Sequence, residues 1–72
     1  MATRAQILAR IEREAKKQGA VWVLLREGAN HTIYTLNGVI VPIARHPRDF
    51  GPRYTETIYK ECEQVLGKGW WR

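Results

Sequence analysis

The chain has 72 residues and carries twelve Lys/Arg against seven Asp/Glu, a formal charge of +5 and a pI near 9.9. At this length it forms one domain spanning 1–72. Such a domain buries only about 60% of the surface its unfolded form exposes, holds a stability margin of about 3–5 kcal/mol and has no room for a deep cofactor cleft.

The basic balance favours a polyanion or an acidic protein as partner. One cysteine, Cys62, excludes an internal disulfide framework, and with only two histidines it argues against a structural zinc site. No cofactor is expected. Met1-Ala2-Thr3-Arg4 opens a charged segment rather than a signal peptide, and no apolar run approaches the roughly 18 residues of a membrane span. The expectation is a cytoplasmic protein without membrane association.

Thr3 is placed to cap a helix over residues 4–18. Ile7, Leu8, Ile11 and Ala15 recur on one face at helical spacing, and Gly19 ends the run. Arg10, Arg13 and Lys17 share the opposite face, and Glu12 precedes Lys16 in the favourable i,i+4 order. That basic stripe is most simply the wet side of an amphipathic helix, and an RNA contact is its secondary reading.

Residues 21–25, Val-Trp-Val-Leu-Leu, are too short and too rich in β formers for a helix and predict a first strand. Residues 26–30 follow as a loop and 31–36 as a second strand. Asn37-Gly38 signals a two-residue hairpin turn, and 39–43 return as a third strand. That turn sets Leu36 opposite Val39, Tyr34 opposite Val41 and Thr32 opposite Ile43, all six on one face. This more apolar set should meet the helices. His31 then emerges on the open face beside Ile33 and Ile40, where apolar residues suit a protein partner or belong to an edge of the core that wraps round.

Residues 44–53 are rich in Pro, Gly and Arg and predict a loop. A second helix is expected from Tyr54 or Thr55 to Leu66, with Ile58, Cys62, Val65 and Leu66 buried, Cys62 as a core residue and Gly67 as the stop. Trp70 and Trp71 are expected to pack back on the domain or on a partner, with base stacking as the lesser reading because the strand aromatics are better held. The sum is an α+β domain: a three-stranded antiparallel sheet with two helices packed on one face.

That order is the double-stranded-RNA-binding-domain-like αβββα arrangement. The run Leu24-Leu25-Arg26-Glu27-Gly28-Ala29-Asn30-His31-Thr32-Ile33-Tyr34 and the segment Val41-Pro42-Ile43-Ala44-Arg45-His46 resemble the HicA (YcfA-like) family of mRNA interferase toxins. The likeness covers roughly residues 5–66 as a coarse alignment. It implies a metal-independent endoribonuclease of a toxin–antitoxin pair, silenced by a HicB-like antitoxin. It also implies His31 as the catalytic residue, in Gly-Ala-Asn-His where the family more often has Gly-Ser-His; the departure removes a hydroxyl and adds one residue.

Histidine suits the role because its unperturbed pKa, about 6.5, readies it for proton transfer near neutrality. RNA supplies its own nucleophile in the 2′-OH, so His31 would act as general base, or as the acid for the leaving oxygen. One imidazole cannot do both in one step. Charge on the phosphate would fall to Arg26, Arg45, Arg48 and Arg53, and His46 is a candidate second acid/base, weighed against a plain turn residue before Pro47. The rival reading is a non-catalytic double-stranded-RNA-binding module of the same fold, using the first helix and the Arg-rich loop on phosphates and 2′-hydroxyls, or a degenerate toxin acting through its partner.

Overall fold

The computed structural model describes residues 2–45 and 49–72. Chain order is β1 (Ala2–Thr3), α1 (Arg4–Gln18), β2 (Trp22–Glu27), β3 (His31–Leu36), β4 (Val39–Ala44), β5 (Asp49–Phe50), α2 (Pro52–Glu61) and α3 (Glu63–Leu66). The expected α+β layout is present: β2-β3-β4 form an antiparallel sheet, with the helices on one side. Thr3 caps α1 as its position implies. Its hydroxyl accepts the Gln6 amide while the Gln6 side chain accepts the Thr3 amide, a reciprocal box that satisfies two otherwise orphaned donors.

The β3–β4 register is the expected one, Leu36 to Val39, Tyr34 to Val41 and Thr32 to Ile43. Asn37 and Gly38 both take positive φ, 49° and 85°, the backbone a tight hairpin of matching twist requires. Asn37 contributes beyond its backbone, because its side-chain oxygen accepts the Val21 amide at 2.7 Å and ties the turn to the start of β2. On the helix-facing side Thr32, Leu36, Val41 and Ile43 are fully buried. Ile7, Ile11 and Ala15 of α1, Phe50, and Ile58, Tyr59, Cys62 and Leu66 complete the core.

Four features differ from the sequence reading. The first strand runs to Glu27, because Arg26 and Glu27 pair with Ile33 and Thr32 beyond a bulge at Leu25. Within the stretch read as loop, Asp49–Phe50 pair with Ala2–Thr3 in a two-stranded ribbon, and this seats Phe50 in the core. The final helix starts at Pro52, whose ring suits a first helical turn, and it breaks at Cys62. There the amide bonds back three residues to Tyr59 rather than four. The pairs among the described residues are Arg45–Glu27 and Lys60–Glu56, so Glu12 and Lys16 do not close their spacing into an ion pair.

The C-terminal tail packs on the domain. The Trp70 indole N–H donates to the Tyr59 carbonyl at 2.8 Å, and its ring meets Tyr59 edge-on, centroids 5.0 Å apart. The Gly69 amide donates to the Glu63 carboxylate at 2.8 Å. No helix of the described residues is long and apolar enough to cross a membrane.

The hairpin turn can be tested by two substitutions. Asn37→Gly keeps the backbone geometry but loses the bond to Val21 and should cost about 1 kcal/mol; Asn37→Ala also adds left-handed strain and should cost about 2 kcal/mol. Urea unfolding followed by circular dichroism measures both. Equal costs would show that the backbone conformation carries no part of the effect.

Candidate active site

His31 is the first residue of β3, and the alternation that buries Thr32 turns the His31 side chain to the open face of the sheet, where it is exposed. Pairing sets three rows across that face: Val23–Thr35–Ile40, then Arg26–Ile33–Pro42, then His31–Ala44. Arg26 reaches this face only because of the bulge, since strict alternation from Trp22 would send it to the helical side. A surface depression of about 460 Å³ lies here, lined by Arg26, Asn30, His31, Ile33 and Pro42 with the backbone turn at 28–29.

The turn into His31 is held from beneath. The Gly28 amide donates to the His31 carbonyl at 2.7 Å, and a Cβ on Gly28 would lie 3.0 Å from that oxygen, so a larger residue would have to push the turn open by a few tenths of an ångström. The Arg45 amide donates to the Asn30 carbonyl at 3.2 Å. Its guanidinium donates to the carbonyls of Ala29 at 2.6 Å and His31 at 3.2 Å, and to the Glu27 carboxylate at 2.7 Å. Glu27 also accepts the Thr32 hydroxyl at 2.9 Å, and that hydroxyl accepts from Arg4 at 2.8 Å. The hydrogen bond from Thr32 and the contact with Arg45 hold the Glu27 carboxyl below its ordinary value.

The residues singled out in the sequence therefore separate. His31 and Arg26 share the depression. Arg45 sits at its foot, but its guanidinium is engaged by one carboxylate and two carbonyls, which makes it a positioning group for the loop. Arg53 is exposed on the first turn of α2, in the helical layer, and does not line the depression. His46 and Arg48 lie outside the described residues. Tyr34 is on the helix-facing side, stacked on Trp22 with centroids 4.6 Å apart. No group of three or more His, Cys, Asp or Glu placed to hold a metal occurs among the described residues.

Glu27, Thr32 and Arg4 were not identified from sequence as parts of this site. The one available signal is Thr32 itself, a hydroxyl at a position the hairpin register assigns to the core, which needs a partner once buried. The carboxylate that answers it is aligned by the bulge, which sequence periodicity does not show.

No known protein family, no curated protein and no solved structure matches the chain.

Two measurements check this geometry. Because the folded-state value of Glu27 is depressed, its contribution should be complete above its ordinary value of 4.5 and disappear as pH falls through the lower folded value. The Gly28 amide shift in an NMR titration should report that loss, and Glu27→Gln should abolish the transition; a transition unchanged in the variant would mean that another group drives it. Burial, with Glu61 adding to it, pushes the Cys62 thiol up to about 12. A disulfide reagent at pH 8 should accordingly modify Cys62 only after denaturant is added, and rapid labelling of native protein would contradict its buried position.

Proposed function

We propose that this chain is a HicA-like toxin of a type II toxin–antitoxin system, a metal-independent endoribonuclease that cleaves mRNA with His31 as general acid/base. One observation carries the reading. An exposed imidazole and the Arg26 guanidinium share a depression on the open sheet face, over a loop whose carbonyls are fixed by Arg45. The order of elements and the motif residues quoted above support it further.

In the base role, neutral His31 takes the 2′-OH proton as that oxygen bonds to phosphorus. The bond from phosphorus to the 5′ oxygen breaks, and the leaving oxygen takes its proton from water, leaving a cyclic phosphate on the upstream fragment. Arg26 offsets the charge on the non-bridging oxygens. Arg45 does not touch substrate in this scheme; it holds the loop so that the imidazole keeps its position. An antitoxin of HicB type would cover Val23 and Ile40, which are 47% and 58% exposed beside the depression and give a protein partner apolar surface to bury.

A second reading is favoured by a specific observation: among the described residues no carboxylate, tyrosine or second imidazole lines the depression with His31. A non-catalytic RNA-binding module, or a degenerate toxin acting through its partner, fits that sparse lining.

The experiment incubates partner-free protein with a defined single-stranded RNA in EDTA beside His31→Ala. Cleavage should fall by about 10²–10⁴-fold in the variant, and 2′-O-methyl RNA should survive the parent protein. If neither protein cuts any of several RNAs while both stay folded, the binding reading replaces the enzymatic one. Equal cutting by both would remove His31 from the mechanism.

A further inference from the structure

The exposed side of α1 presents Gln6, Ala9, Arg10, Arg13, Lys16 and Lys17 away from the sheet. Three separate depressions lie along it, and Arg13 lines all of them; the exposed Glu12 shares one with Arg13 and Lys16 but forms no ion pair with either. One is bounded by Arg10, Arg13, Glu14 and Trp70, so the C-terminal tail forms a wall of the basic groove. Among the described residues no carboxylate lies within ion-pair distance of Arg10, Arg13, Lys16 or Lys17. Glu14, which shares the groove, takes a hydrogen bond from Gln18 instead.

We propose that this face of α1, with Trp70 and Trp71, is a second RNA-binding surface that holds the phosphates of a single strand on the side of the domain away from His31. The proposal rests on the reading that RNA is the substrate and adds where the strand is gripped. From Arg10 to Lys17 the helix rises about 10 Å at 1.5 Å per residue. That length is enough to follow a short run of phosphates along one strand.

The aromatic wall is what favours a nucleic acid over an acidic peptide. Trp70 and Trp71 are each only partly buried, and Trp70 is held rigid by its bond to the Tyr59 carbonyl. Cations interleave with these rings: the Arg10 guanidinium lies 5.8 Å from the Tyr59 centroid, and that of Arg72 lies 5.2 Å from the Trp71 centroid. Arg10 also donates to the Trp71 carbonyl, joining tail and helix. A fixed aromatic beside cations that have no carboxylate partner among the described residues is the composition of a single-strand platform, on which bases stack while phosphates are neutralised. Because the helices cover the other side of the sheet from His31, grip and cleavage are separable.

The test uses a fluorescein-labelled single-stranded RNA with the full chain carrying His31→Ala, so that binding is read without cleavage. Adding Arg13→Glu and Lys16→Glu should weaken binding about tenfold or more and flatten the slope of log K against log salt by about 1.4, two phosphate contacts at 0.7 each. Arg13→Gln with Lys16→Gln should give a smaller loss in the same direction. Lys60→Glu on α2, which changes net charge without touching α1, should leave affinity within about twofold.

Affinity and slope unchanged in both α1 variants, with their helical circular dichroism intact, would overturn the proposal; so would the absence of any RNA binding by the His31→Ala protein. These outcomes are distinct from failure of the toxin reading. RNA binding that depends on Arg13 and Lys16 in a chain that cuts nothing would sustain this surface and remove the enzyme. His31-dependent cleavage with α1 variants that bind normally would do the reverse.

Discussion

The Thr32 hydroxyl stands where the interior of the domain meets its candidate site. It is fully buried, one residue from an exposed imidazole, and it both accepts from Arg4 at the start of α1 and donates to Glu27 at the end of β2. Glu27 in turn takes Arg45 from the end of β4, and Arg45 holds the carbonyls on either side of Asn30. Four elements of the fold are thus connected through two oxygen atoms, the Thr32 hydroxyl and the Glu27 carboxylate oxygen it shares with Arg45. A buried hydroxyl left without partners costs about 1–3 kcal/mol, a large share of what a domain of this size has in hand. The exposed Arg45–Glu27 pair contributes little to stability by itself, and its effect is geometric: it orients a backbone turn.

Periodicity in the sequence carries most of the architecture. The limits of α1, the Thr3 cap, the hairpin turn and the register of β3 on β4 all follow from local chemistry, because each depends on residues close together in the chain. What local chemistry does not carry is long-range. The Ala2–Thr3 ribbon with Asp49–Phe50 joins residues nearly fifty positions apart, and two-residue strands have no periodicity to read. The break at Cys62 has no glycine or proline to announce it. It accompanies the tail, where Tyr59 offers one carbonyl both to the Cys62 amide and to the Trp70 indole.

The candidate site divides in the same way. His31 was legible because the hairpin register alone sets which face it takes. Arg26 and Arg45 looked equivalent as loop cations, and the tertiary structure distinguishes them: one faces the depression, and the other is bound by acceptors of the protein itself. Arginine's five donors in a planar fork allow Arg45 to reach a carboxylate and two carbonyls at once, which a lysine ammonium could not reproduce in the same geometry.

The bulge at Leu25 has a consequence for how such a chain can change. Its single extra residue resets the phase of β2, so that Trp22, Leu24 and Glu27 share one side of the sheet while Val23 and Arg26 share the other. Regular pairing of the same residues without the bulge would restore strict alternation from Trp22 and exchange the two charges, seating an arginine against Thr32 and a carboxylate beside His31. The face that now suits an anion would then repel one. A slip of one position in pairing is therefore more consequential here than most substitutions, because it inverts the electrostatic sign of the surface while leaving every side chain in the sequence as it was; loss of Leu25 itself would keep both charges on their present faces.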